Sequence, residues 1–190
     1  MKNPIYTNYF TDSSFIENKS AIDKVSQEFN LSPRILVSVL YAERGLNYSY
    51  LDEELDFLLI ESGINASAGF SQIKYKTAKW IEKEMTNKKS QYWINEQAAI
   101  LIGKSNDDKE LIQKLSNIES NIRFAGAYLA MMIQRWKQDS INIAYSADTL
   151  GTMYSSGICS PKKFLFVNIV GNTAKEFYQS SKLNEYFSGQ

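Results

Sequence analysis

The spacing of hydrophobic and polar positions predicts a chain that is mainly α-helical. Apolar residues recur three or four positions apart in many segments, which is the period of a helix that buries one face. The alternation that is typical of strands is scarce, so we expect little or no β-sheet. The predicted helices cover residues 14–29, 32–47, 51–61, 77–85, 91–103, 116–137, 141–155 and 173–186.

The stretch 32–47 has the most clearly marked boundaries. Ser32 is a favoured N-cap residue, and Pro33 suits the first helical position because an N–H there would have no partner within the helix. Gly45 is a favoured residue just after a helix. We therefore expect this helix to end at Gly45. The longest core helix is expected to start at the capping-box pair Ser116 and Glu119.

Glu43 is the most informative polar residue of the 32–47 helix. It falls at helical spacing on the apolar stripe of Leu36, Val39 and Leu40. Apolar surroundings and the nearby helix C-terminus both raise the pKa of a carboxyl group, as a general acid requires. The alternative is an ordinary surface glutamate at the edge of the stripe, which is the commoner case for such a residue.

Composition restricts the chemistry to a few classes. The 190 residues carry 21 basic and 21 acidic side chains, so no net charge favours nucleic acid or an anionic membrane as a partner. Histidine is absent, which excludes Ser-His and Cys-His nucleophiles and leaves carboxylates as the acid–base groups. The single cysteine, Cys159, provides neither an internal disulfide nor a zinc site. We expect no metal, no cofactor and no membrane span, and no export signal is visible.

Four segments resemble, in order, the signature blocks of the lysozyme-like superfamily, specifically of soluble lytic transglycosylases and goose-type lysozymes. They are SPRILVSVLYAERGLN, ASAGFSQIKYKTA, NIRFAGAYL and MYSSG. The matching positions are Glu43, Gly45, Asn47, Gly69, Gln72, Ile73, Thr77, Ala78, Asn121, Ile122, Tyr128, Leu129, Tyr154 and Gly157. The departures are Arg44, Leu46, Phe70, Ser71, Tyr75, Ala125 and Ser155, of which Ser71 and Ser155 change polar contacts that line the family's glycan groove.

The resemblance implies a single lysozyme-like helical domain over residues 1–190. Residues 1–13 would form an N-terminal arm, 31–157 the core with the family blocks, and 158–190 a helical extension. It also implies cleavage of the β-1,4 bond between N-acetylmuramic acid and N-acetylglucosamine in peptidoglycan. Glu43 would be the catalytic acid and base. The expected substrate-binding residues are Gly69, Ser71, Gln72, Tyr128 and Tyr154.

Two enzyme types and one non-enzyme remain open. A lytic transglycosylase needs only Glu43, whereas a muramidase needs a second acid, for which the acidic residues of 52–61 are candidates. We favour the transglycosylase because no residue in that segment is singled out. A non-catalytic module that binds glycan or protein on the same scaffold is the third possibility.

The same resemblance sets the expected location and partners. A wall-cleaving chain without an export signal is expected to be made in the cytoplasm and to act at the bacterial cell wall or periplasm after delivery or release by another system, as effectors and phage lysis proteins do. Its partners would be peptidoglycan glycan strands and a cognate inhibitor or immunity protein.

Overall fold

The computed structural model describes residues 9–47, 66–157, 160–161 and 166–188. Helices account for 70% and strands for 3% of the structure, which confirms the prediction of a mainly α fold. The helices are α1 (Tyr9–Glu17), α2 (Lys19–Glu28), α3 (Pro33–Asn47), α4 (Tyr75–Thr86), α5 (Glu96–Ile102), α6 (Asp108–Ser116), α7 (Ile118–Gln138), α8 (Ala147–Ser156), α9 (Ile169–Tyr178) and α10 (Ser181–Ser188). Two short strands, β1 (Ser67–Ala68) and β2 (Ile73–Lys74), lie between α3 and α4. The predicted helix at 51–61 lies outside the described residues.

The α3 helix starts where the sequence predicts but does not end there. The Ser32 carbonyl accepts the first helical hydrogen bonds, from the backbone N–H groups of Ile35 and Leu36 at 3.0 and 3.1 Å. The helix then continues through Gly45 to Asn47, so the prediction that Gly45 ends it is wrong. Gly157 shows the contrast. It takes the left-handed conformation, with φ of +67°, and ends α8, whereas Gly45 does not take a positive φ.

Two segments predicted as single helices are each divided by a side chain that competes for backbone groups. The Asn18 amide donates to the Ser14 carbonyl at 2.8 Å, at the point where 14–29 breaks into α1 and α2. Near the C-terminus, the Ser180 hydroxyl accepts from the N–H of Leu183 at 3.3 Å and separates α9 from α10. The residues on both sides of each break are helical, so only the continuity of the two predicted helices is wrong.

Helix α6 is not among the predicted helices. Asp107 caps it by accepting from the N–H of Glu110 at 2.8 Å. The next helix, α7, is capped by Asn117, whose side chain accepts from the N–H of Ser120 at 2.9 Å. The capping box predicted from Ser116 is therefore wrong by one residue, because Ser116 ends α6 instead.

The buried centre of the fold is α7, which ends at Gln138, one residue beyond the predicted end. Helices α3, α8 and α9 pack against one another beside it, and the rings of Tyr41 and Phe177 stack at 3.8 Å between centroids. The C-terminal end of α3 and the strand pair are thereby brought close to α7 and α8. Among the described helices, none is long and apolar enough to cross a membrane.

Candidate active site

The strand pair forms a tight hairpin with a turn made of residues 69–72. Strands β1 and β2 are antiparallel, with Ser67 opposite Lys74 and Ala68 opposite Ile73. The turn contains two left-handed residues, Gly69 at φ +67° and Gln72 at φ +51°. The turn closes through the N–H of Gln72, which donates to the Gly69 carbonyl at 3.0 Å.

Gly69 is required by the close approach of α7 to this turn. A β-carbon at position 69 would lie 2.4 Å from the Asn121 amide nitrogen and 2.7 Å from the Leu115 carbonyl oxygen. Both distances are far below van der Waals contact, and the positive φ adds strain for any other residue. The packing of the turn against Asn121 and Leu115 therefore explains why position 69 is a glycine.

Asn121 holds the turn against α7. Its side-chain nitrogen donates to the carbonyls of Ala68 and Leu115 at 2.9 and 3.0 Å, and its oxygen accepts from the N–H of Ser71 at 2.7 Å. Asn121 is fully buried, so water does not replace it as the partner of these backbone groups. Asn121 therefore has a structural hydrogen-bonding role between α7 and the turn.

Glu43 lies near the C-terminal end of α3 and is only 6% exposed. A carboxylate this deeply buried is uncommon, because leaving water is costly for a charged group. Its negative charge is felt by Tyr154, which follows 111 positions later on α8 and belongs to a different block of the sequence. The predicted acid therefore lies inside the fold, and its charge affects the pKa of the predicted tyrosine.

Tyr154 joins α8 to the hairpin turn. Its hydroxyl donates to the Ser71 carbonyl at 2.7 Å, and its ring is buried. Burial is the largest cause that raises the pKa of Tyr154 well above its ordinary value of 10.0, and the charge of Glu43 raises it further. Tyr154 is therefore a neutral hydrogen-bond donor at physiological pH.

Tyr128 and Gln72 show packing contacts in the same neighbourhood. The rings of Tyr128 and Tyr154 meet edge to face at 5.6 Å, and the Tyr128 hydroxyl donates to the Met153 carbonyl at 3.1 Å. The Gln72 amide donates to the Gly69 carbonyl at 3.2 Å. Both side chains are buried in this arrangement, so their predicted contacts with sugar stay predictions.

Ser71 differs from its neighbours in having an unsatisfied side chain. Its hydroxyl oxygen is buried and has no hydrogen-bond partner within the described part of the chain. Its backbone N–H and carbonyl are both held, by Asn121 and Tyr154. A buried hydroxyl in this state is costly, and it is a donor that a bound ligand could use.

The structure gathers all the predicted site residues into one neighbourhood, where α3, α7 and α8 meet the hairpin turn. Sequence reasoning missed Arg44 as a part of it. Arg44 is buried to 8% exposure, and its guanidinium donates to the Phe70 carbonyl at 3.3 Å. The sequence places Arg44 directly after Glu43, but a basic residue in the last turn of a helix is ordinarily exposed, so nothing in the sequence predicts its burial.

The chemistry available at this site is proton transfer by a carboxyl group and hydrogen bonding from a neutral tyrosine. The described residues contain no group of three or more acidic or cysteine side chains that could hold a metal ion. The acidic segment 52–61, proposed as the source of a second acid, lies outside them. Comparisons with protein-family models, curated proteins and solved structures found no match to this chain.

Proposed function

We propose that this protein is a lytic transglycosylase that cleaves the β-1,4 bond between N-acetylmuramic acid and N-acetylglucosamine in peptidoglycan. The observation that supports this most is the buried carboxyl of Glu43 at the end of α3, beside the hydrogen bond that joins Tyr154 to the turn at Ser71. This arrangement combines the residues of three sequence blocks that resemble the transglycosylase signature.

In the first step, Glu43 acts as a general acid. A glycosidic oxygen is a poor leaving group, so the carboxyl must deliver its proton as the bond to C1 breaks and positive charge develops on the sugar ring. The burial of Glu43 excludes water from the proton that is transferred. The hydroxyl of Tyr154 stays neutral, and its hydrogen bond to the Ser71 carbonyl holds the turn in place relative to Glu43.

In the second step, Glu43 acts as a general base. Its carboxylate accepts the proton of the C6 hydroxyl of the same muramic acid residue, whose oxygen attacks C1 and closes a 1,6-anhydro ring. The proton given to the leaving group is thereby restored to Glu43. One carboxyl group is sufficient for both steps, in agreement with the single acid of the described site.

A muramidase would instead need a second carboxylate across the sugar, about 5 to 9.5 Å from the first, to hold a water or to act as nucleophile. The products distinguish the two reactions. Wild-type protein is incubated with purified peptidoglycan, and the released fragments are weighed by mass spectrometry. Anhydromuropeptides, lighter than the hydrolytic fragments by one water, support the transglycosylase. Fragments that all carry a reducing end would overturn it in favour of the muramidase.

A non-catalytic glycan- or protein-binding module is the second candidate. It is favoured by the burial of the site, because Glu43, Ser71, Gln72, Tyr128 and Tyr154 are each exposed by 9% or less. The same incubation separates it from an enzyme. Sedimentation of the protein with intact peptidoglycan, without release of any fragment by wild type, would support the module and overturn the transglycosylase.

The proposed substrate sets the place of action and the partners. Peptidoglycan strands are found at the cell wall or periplasm, so the chain would act there. A cognate inhibitor or immunity protein would protect a producing cell.

A further inference from the structure

Arg44 is a buried charged residue that the proposed reaction does not use. It is 8% exposed, although it lies in the last turns of a helix, where a long basic side chain can ordinarily reach water. Its guanidinium lies 4.9 Å from the centroid of the Phe70 ring and donates to the Phe70 carbonyl. Two kinds of contact therefore connect α3 to one residue of the hairpin turn.

Phe70 is itself fixed from the other side. Its ring is 4% exposed and meets the ring of Phe15 edge to face at 5.0 Å between centroids. The Arg44 guanidinium and the Phe15 ring therefore hold Phe70 from α3 and α1. A guanidinium over an aromatic face gains more when both groups are removed from water, as they are here.

The backbone of the turn is anchored by side chains of three helices. Arg44 of α3 binds the Phe70 carbonyl, Asn121 of α7 binds the Ser71 N–H, and Tyr154 of α8 binds the Ser71 carbonyl. Of these anchors, Arg44 is the one adjacent in sequence to Glu43. The same helix end thus carries the acid and the contact that sets how far the turn lies from it.

We propose that Arg44 is a positioning residue, which fixes the turn, with its predicted substrate-binding residues Ser71 and Gln72, relative to Glu43. The inference rests on the proposed function for its catalytic consequence. Reacting groups must be held within a fraction of an ångström, and a displacement of about 1 Å can cost ~100-fold in rate. Arg44 acts through the turn and does not itself transfer a proton.

Lysine and methionine substitutions separate the charge of Arg44 from its shape. R44M keeps apolar volume but loses the charge and the donor, and R44K keeps the charge but loses the planar fork that both stacks and donates. R123M is the matched control. Arg123 is a partly buried arginine of α7, and its ion pairs are with Glu28 of α2 at 2.8 Å and with Glu119 of α7 at 2.6 Å.

The first measurement is amide hydrogen exchange of two N–H groups of the turn. The Ser71 N–H donates to the Asn121 side chain of α7, and the Gln72 N–H donates to the Gly69 carbonyl within the turn. We expect R44M to speed their exchange at least 10-fold and R44K to give an intermediate increase. R123M is expected to leave both rates unchanged. Wild-type exchange rates in R44M would overturn the inference, whatever the protein's activity.

The second measurement is kinetics on soluble glycan strands, at a temperature where circular dichroism shows each variant fully folded. We expect R44M to lower kcat about 10- to 100-fold and to raise KM, because Gln72 and Glu43 no longer reach the sugar together. A lower folded fraction would reduce apparent kcat and leave KM unchanged, and that result would overturn the positioning role. If wild type releases no fragments, the proposed function fails and the catalytic part fails with it, while the exchange rates still decide whether Arg44 holds the turn.

Discussion

Two buried glutamates, Glu43 and Glu82, show how different surroundings give the same residue type different tasks. Each is 6% exposed. Glu82 of α4 accepts from the Lys114 ammonium at 3.0 Å and from the hydroxyl and the backbone N–H of Ser105 at 2.6 and 3.1 Å. The charge of Glu43 of α3 instead raises the pKa of Tyr154, whose hydroxyl donates to the Ser71 carbonyl of the hairpin turn at 2.7 Å.

The difference shows that burial alone does not identify a catalytic carboxyl. The Glu82 charge is neutralised by a cation that also donates to the carbonyls of Ile102 and Gly103, so this network fastens α4, α5 and α6 together. Both oxygens of the Glu82 carboxylate are therefore engaged by groups of the scaffold. The Glu43 side of the molecule instead places a carboxyl beside a turn whose backbone is held rigidly.

The largest expected effect separates the two glutamates by activity. We expect E43Q to lower the rate of peptidoglycan cleavage about 1,000-fold, because an amide cannot donate or accept the proton that general acid–base catalysis requires. E82Q is expected to retain activity at temperatures where it is folded. Turbidity of a peptidoglycan suspension measures both. Comparable rates for E43Q and wild type would remove Glu43 from the reaction.

The turn beside Glu43 gives the next largest effect. N121A removes three buried hydrogen bonds and is expected to lower the free energy of unfolding by about 3 kcal/mol, because the Ser71 N–H and two carbonyls lose their partner. Urea denaturation measures this loss. The control is N117A, which removes the exposed α7 cap and is expected to cost about 1 kcal/mol. Equal losses of unfolding free energy in N121A and N117A would show that the Asn121 hydrogen bonds to the turn contribute no more than an exposed helix cap.

The two glutamates are expected to differ in stability in the opposite sense, with the larger loss at Glu82. We expect E82Q to lower the free energy of unfolding by about 2 kcal/mol, because Lys114 is left partly buried without its counter-charge. E43Q is expected to change it by less than about 1 kcal/mol. Urea denaturation of both variants measures the difference. A greater loss in E43Q than in E82Q would assign the structural task to Glu43.

The smallest effect concerns Tyr154 and has a defined pH dependence. Y154F is expected to cost about 1 kcal/mol at neutral pH through the lost hydrogen bond to Ser71. The folded state raises the pKa of Tyr154, so it retains a proton that the unfolded chain releases above about pH 10. The stabilisation of the folded state by the Tyr154 hydroxyl is therefore complete below pH 10. Above pH 10 it is lost by up to about 1.4 kcal/mol of unfolding free energy per pH unit.

The difference between the wild-type and Y154F unfolding curves isolates this titration from that of other tyrosines and lysines. We expect the free-energy gap between the two proteins to narrow above pH 10 and then to reverse. A constant gap from pH 8 to pH 11 would show that Tyr154 does not titrate differently in the folded state.

Helical periodicity was sufficient to predict the fold class and the helices that position the site. Glu43 is buried, as its place on the apolar stripe predicted, but the burial is not confined to one stripe. Every residue from 35 to 44 of α3 and from 124 to 132 of α7 is buried. The helix breaks at Asn18 and Ser180 were not predictable from spacing, because they depend on whether a side chain bonds to a nearby carbonyl or N–H. The cap of α7 was misplaced because Ser116 and Asn117 are both favoured N-cap residues.

The candidate site was predictable in its members but not in its contacts. Short sequence blocks indicated Glu43, Ser71 and Tyr154, which the fold brings together. The burial of Arg44 was not predictable, because its partner Phe70 lies 26 positions away and the contact exists only once the turn has packed on α3. Long-range contacts of this kind arise from tertiary packing and leave no local pattern.

The most direct test of the central claim compares the fragments that wild type, E43Q and E82Q release from the same purified peptidoglycan. Mass spectrometry of equal digests measures their amount and identity. The assignment of Glu43 predicts anhydromuropeptides from wild type and E82Q, and release from E43Q lower by about 1,000-fold. Anhydromuropeptides from E43Q at the wild-type rate would contradict it.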